Sequence, residues 1–196
     1  MERELGRINS FSDGVMAVAI TLLVLNVEVP HVGDADLPHE LRELVPSIFS
    51  YGLAFALVGR YWVLHHDLFE VLRGFDGGLM WLNLMFLSLI ALVPFATDLQ
   101  DDYAKVPEAV AVFGGLLGLA GLVHWAMKIY VVRRGFVRDE TARTAQMEGG
   151  VVALALAAVF LATIPVAFLS TVAAKLMWTA TIFIREPVRR LARRRR

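Results

Sequence analysis

Asp13 stands inside an apolar run that carries no other charge until Glu28, and Ser12 directly precedes it. A carboxylate at that depth is costly in lipid, so it must face protein, water or a basic partner. Two readings are open: an Asp capping its helix near the interface, or an inward polar cluster at the cytoplasmic end of a pathway. Depth names the partners. If the second apolar run descends from outside to inside, Arg60, Trp62, His65 and His66 arrive level with Asp13, where the third run starts with Trp81 and Asn83. A buried hydrogen-bonded cluster of Arg7, Ser12 and Asp13 with His65 is therefore expected. His65-His66-Asp67 is a poor metal set, because adjacent residues on a helix point in different directions. Nothing like H-E-x-x-H is present. No metal centre and no cofactor is expected.

Further along the same run, Val18, Leu22 and Leu25 follow i, i+4, i+7 spacing, with Thr21 beside them and Glu28 one turn further out. This stripe also has two readings. It is either a packing face of the kind any membrane helix supplies, or a narrow hydrophobic constriction with Thr21 as a polar ring and Glu28 near an acidic outer mouth. Constrictions of that kind gate by dewetting, and acidic rings concentrate cations.

The elements that must position these residues follow from composition. Of 196 residues, 57% are hydrophobic and 19% charged, against roughly 45–50% and about 25% in soluble domains. The charges are clustered between uncharged runs near the roughly 20 residues that span a bilayer. With no cysteine, a secreted disulfide scaffold is excluded, as are a soluble enzyme and a disordered chain. The reading is an all-α polytopic membrane protein with six spans: about 8–29 closed by Pro30, 45–65, 78–97, 109–127, 149–170 and 171–184. The first run lacks an A-x-A site before a soluble region and reads as a permanent span rather than a signal peptide. The sixth is short and carries Lys175 near its start, so it spans only if Lys175 snorkels to the outer interface.

Net charge is zero, but the charges are segregated. With both termini cytoplasmic, every basic residue except Arg42, Lys105 and Lys175 falls on the inner side, as the positive-inside rule requires. Outer segments are acidic instead, with Glu28, Asp34, Asp36, Glu40 and Glu43, then Asp98, Asp101, Asp102 and Glu108. Residues 1–196 read as a single membrane domain ending in a basic cytoplasmic tail at 185–196. That tail suits anionic lipid better than nucleic acid. The 30–44 segment reads as a polar outer loop, and the charged 131–148 segment as a helix extension into the cytoplasm. Pro94 and Pro165 are expected to kink their helices, Gly114, Gly118 and Gly121 to pack against a neighbour, and His124 and Lys128 to form a snorkelling pair.

The stretch Arg7-x-x-x-Phe11-Ser12-Asp13, continuing through Gly14-Val15-Met16-Ala17 and Ile20-Thr21-Leu22-Leu23-Val24-Leu25, resembles the signature of the transmembrane protein 175 family, the bacterial and endolysosomal potassium channels. Trp62-x-x-His65 resembles it too, and the six-span length matches bacterial members with one six-helix repeat. The resemblance implies a homotetramer in a bacterial plasma membrane, passing potassium ions through a central pore lined by four first helices. It implies that Val18, Leu22 and Leu25 form the narrow part and that Thr21 bears on selectivity. It also implies that Arg7, Phe11, Ser12 and Asp13, with Trp62 and His65, tie helices together away from the ion path. One departure is Val18, smaller than the Ile or Leu of relatives; it widens that neck and leaves Leu22 or Leu25 as alternative gates.

The sequence adds negatives of its own. No T-V-G-Y-G filter is present, so any potassium selection must come from side chains and pore width. No S4-like arginine repeat lies in a span, which argues against steep voltage gating. A weakly selective monovalent cation or proton-leak channel is the first alternative. A small secondary transporter using Asp13 and His65 as a proton couple is the second. An intramembrane enzyme is disfavoured, since no nucleophile–base or metal pattern appears.

Overall fold

The computed structural model describes residues 2–181 and is built of helices. α1 runs Glu2–Leu22 and passes into a 3-10 turn, Leu23–Asn26. α2 is Leu37–Glu43, α3 Val45–Phe69, α4 Gly77–Ala91, α5 Val93–Asp102, α6 Pro107–Arg133, α7 Glu140–Leu169 and α8 Thr171–Thr181. Among the described residues, five stretches are long and apolar enough to cross a membrane: Arg3–Asn26, Leu37–Phe69, Gly77–Asp102, Pro107–Arg133 and Glu140–Leu169. The expected sixth span is represented by α8 over 11 described residues; its last residues and the tail at 185–196 lie outside the described ones.

Local chemistry explains most boundaries. Pro94 has no N–H to continue the ladder of α4, so the third span breaks at Leu92, whose own N–H turns back onto Leu89 and Ile90. Asp76 caps α4 by accepting from the Leu79 N–H at 3.0 Å, and Asp139 caps α7 by accepting from Ala142 at 2.8 Å. α6 ends in a Schellman turn. Gly135 takes φ +69, the Gly135 N–H reaches Val132 O, and the Phe136 N–H reaches Val131 O. Ser170, in extended conformation, ends α7 and starts α8, which folds back until Trp178 donates from Nε1 to Thr163 Oγ1 at 3.2 Å.

Two sequence expectations change here. The outer 30–44 segment is not all loop, because Asp36 and Pro38 start the short helix α2. The first span is not α-helical to Val29, since its winding tightens at Leu23 and Val27 is extended. The expected helix extension is present: α6 runs on to Arg133 and α7 starts at Glu140, leaving only 134–139 between them.

α6 is the centre of the bundle, packed along α7 and against α4 and α5. Glycines permit the close approach to α7. A Cβ on Gly114 would fall 2.5 Å from Thr163 Oγ1, one on Gly118 2.7 Å from Leu161, and one on Gly121 3.0 Å from the Ala157 Cβ. The core beside it is filled by Leu57, Tyr61, Phe86, Ile90, Phe113, Leu117, Phe160 and Trp178. α1 lies at the edge, on α3, α4 and α5.

At one end of the bundle the 70–76 and 134–139 segments are clasped together. Leu72 and Val137 form an antiparallel bridge, the Arg73 N–H donates to Phe136 O, and the Arg138 N–H donates to Val71 O. The Tyr130 hydroxyl donates to Asp76 at 2.8 Å, and Arg134 pairs with the same carboxylate at 3.1 Å. The Leu79 N–H, then Tyr130 and Arg134, hold the Asp76 carboxyl below its ordinary range.

Candidate pore face and its buried support

α1 divides its side chains sharply. Met16, Ala19 and Leu23 are sealed inside the subunit, while Val18, Leu22 and Leu25 remain 57%, 42% and 71% exposed. Thr21 and Glu28 are exposed as well, and the Thr21 hydroxyl donates to its own Val18 carbonyl at 2.9 Å. The split follows from placement at the bundle edge, where only one side of α1 meets α3, α4 and α5. Open cavities flank this face. One of about 430 Å³ is lined by Phe11, Gly14, Val15, Val18, Leu22 and Ala91 among others. Another of about 470 Å³, nearer the N-terminus, is bordered by Arg7, Phe11, Met80 and Asn83.

Behind the face lies a chain of buried polar groups. The Ser12 hydroxyl donates to Ile8 O at 2.9 Å and accepts from Asn83 Nδ2 at 3.0 Å. Asn83 Oδ1 is then left to accept, so the proton in its 2.7 Å contact with His65 belongs to Nε2 of the imidazole. That ring is held flat between Phe69, 4.3 Å away between centroids, and Phe86 at 5.5 Å. Asp13 is half-buried; its Oδ1 accepts from Trp62 Nε1 at 2.8 Å and its Oδ2 from Asn9 Nδ2 at 3.4 Å.

The cluster expected from the sequence therefore forms in part. Ser12 joins His65 through Asn83, and Asp13 joins Trp62, but Arg7 and Phe11 are exposed and stay outside the network. Depth alone puts Asn83 level with these groups but gives it no role; its signal is the lone side-chain amide of α4, a helix apolar apart from Asn83 and Ser88. Lys128 corrects a second expectation. It does not snorkel: it is 2% exposed, donating from Nζ to Gln146 Oε1 at 2.6 Å, while Gln146 Nε2 donates to Asp67 O. His124 is likewise sealed, tilted against Phe86. α7 thus brings an acceptor to the buried Lys128 amine, which a free membrane helix lacks.

Residues 7–94 match the family model described as endosomal/lysosomal potassium channel TMEM175. A potassium channel of Streptomyces collinus is 36% identical over 141 residues, covering 69% of this chain and 68% of that protein. The chain belongs to the TMEM175 family. A second relative, a potassium channel of Chamaesiphon minutus, is 38% identical over 121 residues, covering 59% of this chain and 60% of that protein. The crystal structure of a lysosomal potassium-selective channel TMEM175 homolog from Chamaesiphon minutus superposes with a TM-score of 0.77 at 27% identity, over 92% of this chain and 95% of that one. The TMEM175 match begins at Arg7 and ends at Pro94, so it contains the exposed face of α1 and the whole Ser12–Asn83–His65 chain.

Proposed function

We propose that this multi-pass membrane protein conducts potassium passively down its gradient, as a homotetramer whose four α1 helices line a central pore. Residues 1–196 act as one membrane domain. Val18, Leu22 and Leu25 make the narrow apolar part, Thr21 a hydroxyl ring, and Glu28 the outer mouth. The observation that carries this reading is the division of α1, which seals Met16, Ala19 and Leu23 inside its own subunit and leaves the opposite stripe exposed. The relatives named as potassium channels support the choice of ion.

The chemistry follows from the side chains. An apolar neck excludes water until it widens, so it closes without any moving plug. The Thr21 hydroxyl gives its proton to the Val18 carbonyl, which turns its oxygen lone pairs outward for a cation. Selection by side chains and pore width is coarser than selection by a carbonyl cage, and the small Val18 favours passage of sodium or protons beside potassium. Asp13, Ser12, Asn83, Trp62 and His65 hold helices together and do no chemistry on the ion. No reaction is catalysed in this reading. The basic tail 185–196, outside the described residues, rests on anionic lipid.

Flux from liposomes loaded with potassium, with sodium or N-methyl-glucamine outside, tests it. Leu22→Ala and Leu25→Ala are expected to raise sodium flux relative to potassium, and Asp13→Asn to leave passive flux in place. Flux that appears only with a proton gradient and is lost in Asp13→Asn would make the protein a transporter.

A further inference from the structure

The outer end of the lining segment, Leu23–Asn26, is wound as a 3-10 helix. Side chains then advance about 120° per residue instead of about 100°, and residues three apart eclipse. Leu25 therefore stands directly over Leu22, and Asn26 directly over Leu23. Continued as an α-helix, the same segment would put Leu25 about 60° to one side of Leu22 and Asn26 about 40° to the other. Leu22, Val24 and Leu25 are exposed, Leu23 is sealed and Asn26 is half-buried.

One side-chain bond ties this turn to the bundle. Asn26 Nδ2 donates at 3.1 Å to the carbonyl of Pro94, 68 residues away. Pro94 sits in the first turn of α5, just past the break at Leu92, between the sealed residues Val93 and Ala96. The acceptor is thus backbone, fixed by a proline and by core packing. Beyond Asn26 the chain is already extended at Val27, whose N–H returns only to Val24 O.

We infer that Asn26 is a positioning residue for the Leu25 constriction. Its amide, anchored on Pro94, keeps the outer turn in 3-10 winding, so that Leu25 is stacked on Leu22 and residue 26 is kept out of the lumen. Without the anchor the turn relaxes toward α-helix, which moves Leu25 off the pore axis. The inference rests on the pore reading of α1.

The chain has no cysteine, so single cysteines report cleanly. Leu25→Cys and Leu22→Cys are reconstituted in liposomes, and their modification by a cationic methanethiosulfonate is timed through the loss of potassium flux. Adding Asn26→Ala is expected to slow modification of Leu25→Cys by about tenfold, the size of effect one lost hydrogen bond gives. Leu22→Cys should keep its rate, and Asn26→Gln, which retains the donor, should keep both. Asn26→Leu repeats the test with bulk restored. Unchanged rates at position 25 in both Asn26→Ala and Asn26→Leu overturn the inference and leave the pore standing. So does equal slowing at positions 22 and 25, or a slowed rate in Asn26→Gln. No modification at either position with Asn26 intact overturns the pore reading, and this inference with it.

Discussion

Asn83 donates its side-chain amide to the Ser12 hydroxyl at 3.0 Å, bridging α4 to α1 behind the exposed face. The same side chain accepts from His65 on α3 at 2.7 Å, so one amide satisfies polar groups on two other helices. Asn83→Leu keeps the volume and removes both partners. It is expected to destabilise the protein by about 2–4 kcal/mol, because the Ser12 and His65 groups stay buried without it. Thermal unfolding of the purified protein in detergent checks this; an unchanged midpoint would show that the bridge contributes nothing.

Asp13 and Trp62 make a different kind of contact, half-exposed and hydrogen-bonded at 2.8 Å. Asp13→Asn retains an oxygen for the Trp62 N–H, whereas Trp62→Phe removes the donor. Passive potassium flux should survive Asp13→Asn, while Trp62→Phe should cost about 1 kcal/mol of stability. Flux and melting curves on the same preparations separate the structural role from a proton-carrying one.

The α6–α7 contact has no room at Gly121, where an added Cβ meets Tyr61 OH at 2.9 Å and Ala157 Cβ at 3.0 Å. Gly121→Ala should force the helices apart and destabilise by about 1–3 kcal/mol. Gly52, with nothing near its Cβ position, is the matched control: Gly52→Ala should not lower the midpoint. Denaturant or thermal midpoints of the two variants make the comparison.

Asp76 makes the clasp between the 70–76 and 134–139 segments pH-dependent. Its folded carboxyl titrates below its ordinary value, chiefly because the Leu79 N–H bonds to it, with Tyr130 and Arg134 adding to the effect. A lowered folded value means the clasp stabilises above the unfolded carboxyl's pKa of about 3.9 and fades as pH falls through the folded one. Thermal midpoints should therefore drop on going from pH 5 toward pH 3 in the parent, and drop less in Asp76→Asn. Equal slopes would remove Asp76 from the account.

The membrane-level plan can be read from the chain alone. A bilayer core demands about 20 apolar residues per helix and forbids stray charge, so spans, their rough limits and the sidedness of Lys and Arg are written in one-dimensional pattern. Gly114, Gly118 and Gly121 were legible for the same reason, since small residues at helical spacing have one use in lipid. Asp13 and Ser12 announced themselves as polar groups in an apolar run, and depth brought His65 and Trp62 level with them. Depth, however, carries no azimuth. Which polar residues meet depends on the rotation of each helix, and only packing sets that. Asn83 therefore became the bridge while Arg7 and Phe11 turned outward, and Lys128 went inside because α7 delivers Gln146 to it. The winding of Leu23–Asn26 was hidden for a related reason. An α-helix and a 3-10 turn share the same residues, and the choice between them accompanies a hydrogen bond to Pro94, which tertiary structure alone brings within reach.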